Sequence, residues 1–311
     1  MKGCVKSMIE SIHKYFKVGL ISFMAYPQIM RGDDPGALDC LRKIAVDDYF
    51  DAIEVTWIKD AELRAKAAYL LAQSHMTVCY GAQPRLLTTG LNPNHLDEAE
   101  RVKAEATLIE AIDEAHELGS NGIAFLSGKF DVTKRDEAYA QLIKTTMNLC
   151  AYAKTKGMFV ELEVFDYDID KKSLIGPAPY AAKFAADMRS AFPNFGLMID
   201  LSHIPMTYET PEFVVRTLRP YITHLHLGNT VCADPAAVGY GDLHQRFGFP
   251  GGANDTQEVV EYLRVLIAEG FANPVDPIVL SFEVKPWQDE DCDIVVANAK
   301  RVLNRAWAIV E

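Results

Sequence analysis

The chain has 311 residues, 49% of them apolar and 24% charged, with a formal net charge of −12. That composition suits a soluble globular protein with a sizeable core. The acidic balance repels nucleic acid and anionic membranes unless a local basic patch overrides it, and no such run occurs. Cys4, Cys40, Cys79, Cys150, Cys232 and Cys292 are scattered with no CxxC pair, and no apolar run approaches the roughly 20 residues that span a bilayer. These features predict reduced thiols in a cytoplasmic protein.

In chain order, residues 1–16 read as a polar leader. Lys2, Lys6, Lys14 and Lys17 precede the apolar VGLISFMAY, but Pro27 follows where a secretory signal would want a small-residue cleavage site. That run is instead read as strand one, over 17–26. A helix follows over 36–50, with Leu38, Leu41, Ile44 and Ala45 at helical spacing. DAIEVTWI (51–58) is strand two, followed by a helix over 61–73, and TVCYGAQ (77–83) is strand three. A long helix over 96–118 stops at Gly119, as at a C-cap. GIAFLSG (122–128) and a helix over 135–156 form the fourth unit, MFVELEVF (158–165) and a helix over 180–191 the fifth. FGLMIDLSH (195–203) and ITHLHLGN (222–229) are strands six and seven, with helices over 211–218 and 256–269. IVLSFEV (278–284) and a helix over 291–310 complete the chain. Eight strand–helix units without a linker between halves predict a single (β/α)8 barrel over 1–311. A doubly wound open sheet is the alternative, but no GxGxxG follows strand one.

Four strands carry ionisable residues where apolar ones belong. Strand five has Glu161 and Glu163 on one face, strand six ends in Asp200, strand seven carries His224 and His226, and strand eight ends in Glu283. Side chains alternate faces along a strand, and a buried charge requires a compensating partner. In a barrel those residues point inward at the carboxyl ends of the strands, where barrel enzymes keep their chemistry. Two Glu, one Asp and one His form an oxygen-rich set with one imidazole, which suits Mn²⁺ foremost, or Mg²⁺, Co²⁺ or Zn²⁺. Taken singly, each acid at a strand end more often caps a helix or pairs with a lysine.

These residues and their surroundings resemble the xylose isomerase-like barrel superfamily, in the sugar phosphate isomerase/epimerase group that includes ketose 3-epimerases and inosose dehydratase. The matching stretches are YFDAIEV around Glu54, ELEVFD with Glu163, MIDLSH with Asp200 and His203, HLHLGN with His226, the PGG at 250–252, and SFEVKP with Glu283. The resemblance covers nearly the whole chain. It implies that Glu163, Asp200, His226 and Glu283 hold one divalent ion and that His203 contacts a substrate hydroxyl. A metal on a ketose carbonyl and its neighbouring hydroxyl acidifies the intervening C–H by stabilising the enediolate. Glu163 and Glu283 are the candidate catalytic pair that removes a proton from one face and returns one to the other.

The chain also departs from the ketose 3-epimerase pattern. Asp166 stands where those enzymes show an Asn, and Cys232 where they carry an Arg. An insertion over 230–254 follows strand seven and holds Tyr240, His244, Arg246 and Phe249. His244 or Arg246 is expected to replace the missing Arg in substrate binding, against the reading of a solvated loop with an incidental His. Lys285 shares the face of Glu283, either as a substrate-binding cation or as a partner for Glu161. His224 and Glu54 read as buried network members, and the run Asp166, Asp168, Asp170 as a solvated turn.

The leading function is therefore a metal-dependent sugar isomerase or epimerase acting on a small-molecule ketose or keto-sugar. A metal-dependent lyase, of dehydratase or C-glycoside-cleaving type, is the alternative on the same site. A DNA-repair enzyme like endonuclease IV ranks lower, because that resemblance calls for three zinc ions and further His ligands from strands three and four, which have none. A sugar-binding barrel without turnover is argued against by the intact ligand set. No glycine-rich phosphate cradle follows strands seven or eight, which favours an unphosphorylated sugar. Similar enzymes are commonly homo-oligomers.

Overall fold

The computed structural model describes residues 10–310, so residues 1–9 of the polar leader lie outside the described part. Eight parallel strands form the sheet: β1 (Phe16–Ile21), β2 (Ala52–Val55), β3 (Thr77–Tyr80), β4 (Gly122–Leu126), β5 (Phe159–Glu163), β6 (Phe195–Asp200), β7 (Ile222–Gly228) and β8 (Ile278–Glu283). Their order is β3-β2-β1-β8-β7-β6-β5-β4. The two end strands meet at a parallel bridge between Gly81 and Ala124, where Ala82 N donates to Ala124 O at 2.7 Å, so the sheet curls into a barrel. Helices Ala37–Ala45, Ala61–Ser74, Glu98–Glu117, Arg135–Thr155, Ala178–Arg189, Pro211–Leu218, Thr256–Ala268 and Cys292–Ile309 follow the strands in turn. The chain is a TIM barrel.

The alternation read in the strands explains the layering. Val160 and Leu162 alternate with Glu161 and Glu163, Leu197 and Ile199 with Met198 and Asp200, and Leu225 and Leu227 with His224 and His226. The apolar set belongs to the continuous core beneath the helices, and the polar set faces the barrel interior. Register brings the second set level: Glu163 pairs with Met198, Asp200 with His226, and Gly228 with Glu283.

Local chemistry sets the element ends. Asp60, Asp97 and Asp291 each cap a helix by accepting a backbone N–H, and Asp255 with Glu258 forms a capping box. Gly119 takes the left-handed conformation (φ 84°) that stops the long helix where the sequence predicts it. Strand one is shorter than its apolar run: β1 stops at Ile21, and Ser22–Ala25 makes a helical turn, with Ser22 Oγ donating to Glu54 O at 2.7 Å. Likewise β3 ends at Tyr80, and Gln83–Leu87 is helical. Among the described residues no helix is long and apolar enough to cross a membrane.

Candidate metal centre

Strands β5 to β8 deliver one donor atom each from Glu163, Asp200, His226 and Glu283, all within 4.8 Å of one another. Each of the four residues is buried. His226 Nδ1 lies 2.8 Å from Glu283 Oε2 and 3.5 Å from Glu163 Oε1. Its other nitrogen, Nε2, is 3.1 Å from Glu54 Oε1, and this contact turns Nδ1 toward the carboxylates. Glu54 Oε1 also meets His224 Nε2 at 2.9 Å, and His224 Nδ1 lies 3.4 Å from Glu161 Oε2. His224 and Glu54 are thus the buried network members that the sequence suggested. Glu161 faces His224, and among the described residues it makes no ion pair with Lys285.

The donor set fits a divalent cation. Glu163 Oε2 accepts from Gln83 Nε2 at 2.7 Å, but Glu163 Oε1 is buried with no hydrogen-bond partner. An acceptor-only oxygen in that position, facing two further carboxylates, calls for a cation rather than another acceptor. Three carboxylates and one imidazole match the hard, oxygen-preferring ions Mn²⁺ and Mg²⁺.

The electrostatics carry the same message. Burial pushes Glu283 upward, and repulsion from Glu163 adds to this against the pull of His244 and His226, leaving its pKa at about 7. Burial opposes the positive charge of His226, yet Glu54, Glu163 and Glu283 outweigh it and raise the imidazole well above its ordinary value. Burial likewise disfavours the Asp200 carboxylate, but His244, His203 and His226 hold its pKa below the usual range. Without an ion, protons on the histidines offset the buried negative charge.

The insertion after β7 folds over this set. His244, at φ 53°, places Nε2 3.2 Å from Asp200 Oδ2, 3.2 Å from Ser202 Oγ and 3.3 Å from Glu283 Oε1. Its Nδ1 is 3.2 Å from Asp242 Oδ1. Burial opposes a charge on His244, and Asp242, Glu283 and Asp200 reverse that to give a pKa of about 9. Asp242 is itself held by Lys171 Nζ at 2.7 Å. Asp166 anchors the segment carrying Lys171 by accepting from the backbone N–H groups of Ile169, Asp170, Lys171 and Lys172. Asp166 is fully buried, so this acid is the anchor of the turn and not part of a solvated one.

A cavity of about 210 Å³ opens above the centre, with Glu163, His226, His244, Glu283 and Lys285 in its polar lining and Phe23, Met24, Leu87 and Phe165 among its apolar walls. Lys285 is thus one of the residues that line it, half-buried. Arg246 does not line this cavity, because its Nε pairs with Glu290 Oε1 at 2.8 Å. His203 sits behind the carboxylates: Nδ1 is 3.0 Å from Val164 O, and Nε2 is 3.2 Å from Asp242 Oδ1. Burial works against its charge, but Asp242, Asp200 and Glu163 lift its pKa to about 10. Gln83, Asp242 and Lys171 belong to the site but were not singled out from sequence, since they come from a short helix and loops with no periodicity to betray them. The acidic DYDID run next to Lys171 was the one available signal.

A family model described as xylose isomerase-like TIM barrel matches residues 43–279. No curated protein matches at a significant level. Among solved structures, a D-tagatose 3-epimerase-like protein shares 21% identity at a TM-score of 0.70, covering 94% of this chain and 98% of that one. An L-ribulose 3-epimerase shares 18% at 0.69, covering 94% and 95%. An AP endonuclease of family 2 from Brucella melitensis shares 15% at 0.66, covering 90% and 96%. At these identities the likeness is one of fold.

Proposed function

The chain belongs to the xylose isomerase-like TIM barrel family, and from that premise we propose that it is a divalent-metal-dependent enzyme that isomerises or epimerises a ketose or keto-sugar. The observation that carries this reading is the pair Glu163 and Glu283, buried in one cluster with Asp200 and His226. The epimerases among the structures of like fold support it. Glu163, Asp200, His226 and Glu283 would hold the ion, with Mn²⁺ foremost, and it would supply Lewis acidity toward a substrate carbonyl.

The protein's own groups do the proton transfer. Glu283 Oε2 faces His226 at 2.8 Å, which leaves Oε1, on the His244 side, to hold or release a proton. Glu163 Oε2, held by Gln83 Nε2 at 2.7 Å, is the second proton-moving oxygen. Removal of a proton from one face of the carbon by one carboxylate, with delivery of a second proton to the opposite face by the other group in its carboxylic-acid form, inverts the carbon, whereas delivery to the neighbouring carbon isomerises the sugar. The 230–254 insertion brings Asp242, Leu243 and His244 into the cavity wall, and Lys285 in the same lining offers a cation to substrate oxygens.

Incubation of the Mn²⁺-supplied protein with ketoses and keto-glycosides in D₂O tests this. Carbon-bound deuterium is expected in the recovered sugar and its product, and Glu283→Gln is expected to abolish it. Absence of exchange on every sugar while the ion still binds refutes the reading.

One observation favours a lyase outcome on the same centre. His244, backed by Asp242, places an imidazole N–H 3.3 Å from Glu283 Oε1, where it can protonate a departing β-substituent. Metal-dependent loss of water or an aglycone in the same experiment selects that outcome. A nuclease gains no comparable support, since the net charge of −12 opposes DNA.

A further inference from the structure

A second cavity lies beside the one above the metal centre. Leu87 and Lys171 wall both, and the outer cavity has a volume of about 580 Å³. It lies over the carboxyl end of β4 and the segment after β3, with Leu91, Pro93, Leu126, Ser127 and Ser173 in its walls.

Two observations mark it as built for a ligand. Ser173 is 1% exposed, and its hydroxyl, on the cavity wall, has no hydrogen-bond partner. Buried hydroxyls are nearly always partnered, and this one keeps its donor and acceptor capacity unspent. Size is the second. Ligand sites usually occupy roughly 300–1,000 Å³, which the inner cavity alone does not reach and the two together do.

The chemistry of the lining narrows the occupant. Lys171 is saturated by Asp170 at 2.8 Å and Asp242 at 2.7 Å, so it is no anion receptor. The leucine and proline side chains offer a flat apolar wall beside the serine hydroxyls. Such a lining, which the exposed Lys129 completes, accepts a ring through its carbon face and one or two hydroxyls.

We propose that the substrate is a keto-sugar linked to a second ring, with the keto-sugar over Glu163 and Glu283 and the second ring in the outer cavity against Ser173. This inference rests on the keto-sugar reading given above. A free monosaccharide fills only the inner cavity and forgoes the outer contacts.

Calorimetric binding of unoxidised phenyl glucoside, a glucose disaccharide and methyl glucoside to the Mn²⁺-loaded protein tests it. One ring-bearing ligand is expected to bind at least about tenfold more tightly than methyl glucoside, and which one does so gives the chemistry of the second ring. Leu91→Trp fills the outer cavity and is expected to abolish that preference. Ser173→Ala removes the open hydroxyl and is expected to weaken it severalfold, which keeps the test decisive should Leu91→Trp fail to fold. Equal binding of methyl and ring-bearing glucosides overturns the inference, as does a preference untouched by both substitutions. Deuterium exchange on the corresponding keto-sugars separates the two readings. Exchange that is as fast on methyl keto-glucoside as on the ring-bearing forms overturns the second-ring inference and leaves the enzyme reading standing. A ring preference in binding, with no exchange on any keto-sugar, supports the outer subsite and overturns the enzyme reading.

Discussion

His226 Nδ1 lies among the oxygens that would surround a metal, and in the metal-free protein a proton does part of a cation's work there. Burial opposes that proton, yet Glu54, Glu163 and Glu283 keep it bound well above the ordinary imidazole range, while burial and Glu163 lift Glu283 to about 7. A metal ligand must be deprotonated, so ion binding expels these protons. Both pKa values are raised in the free protein, so the apparent affinity rises with pH and falls as the solution is acidified below 7. Between pH 6 and 7 the logarithm of the Mn²⁺ affinity is expected to climb with a slope of about 1 to 2. Calorimetry in buffers of different ionisation heat checks this, and a binding heat independent of buffer would refute it. Glu54→Gln removes the charged acceptor that orients His226, and its expected cost is about 10–100-fold in Mn²⁺ affinity with the circular dichroism unchanged. The four candidate ligands were legible in the sequence because charged residues interrupt apolar strands. Gln83 was not, because one uncharged amide at the end of an apolar run carries no such contrast.

At the scale of elements, the strand ends and the loop after β7 do different work. The strands present the centre through register alone, and Gly228 shows how tightly they do so. A Cβ there would stand 3.0 Å from both Asp200 carboxylate oxygens and from Glu283 O, so the contact requires glycine. Gly228→Ala is expected to keep the barrel and weaken Mn²⁺ binding by about tenfold as Asp200 is displaced; unchanged affinity, read by the same titration, would show that the strand pair can yield. The loop instead brings in His244 and Asp242, and only the first was legible, as the odd imidazole in an insertion. Arg246 looked its equal in sequence, but Glu290, from the segment before the last helix, holds it away. A pairing partner some forty residues distant leaves no local trace. Strand ends were misjudged for a related reason: Ser22–Ala25 is apolar enough to read as strand and strand three reads on to Gln83, yet the chain turns helical at Ser22 and again at Gln83 where the barrel ends.

Across the whole molecule the eightfold alternation was legible because strands covered on both faces read as short apolar runs between amphipathic helices. Closure was legible only through the count of eight strand–helix units, since it depends on the accumulated twist of the sheet and not on any one residue. It leaves an asymmetry. The candidate ligands all lie on β5 to β8, one half of the barrel, whereas among the described residues β3 and β4 meet only at the Gly81–Ala124 bridge. An ion binding the native state alone at about a hundred times its dissociation constant adds ~2.7 kcal/mol of stability. The four ligated strands should therefore gain most, and the seam least. Hydrogen exchange followed by mass spectrometry is expected to slow in peptides of β5 to β8 when Mn²⁺ is added, with β3 and β4 changing less and opening first as the protein is destabilised. Protection spread evenly round the barrel would mean that the seam at Gly81 is held as firmly as a full ladder, and that the ion stabilises the fold as a single unit.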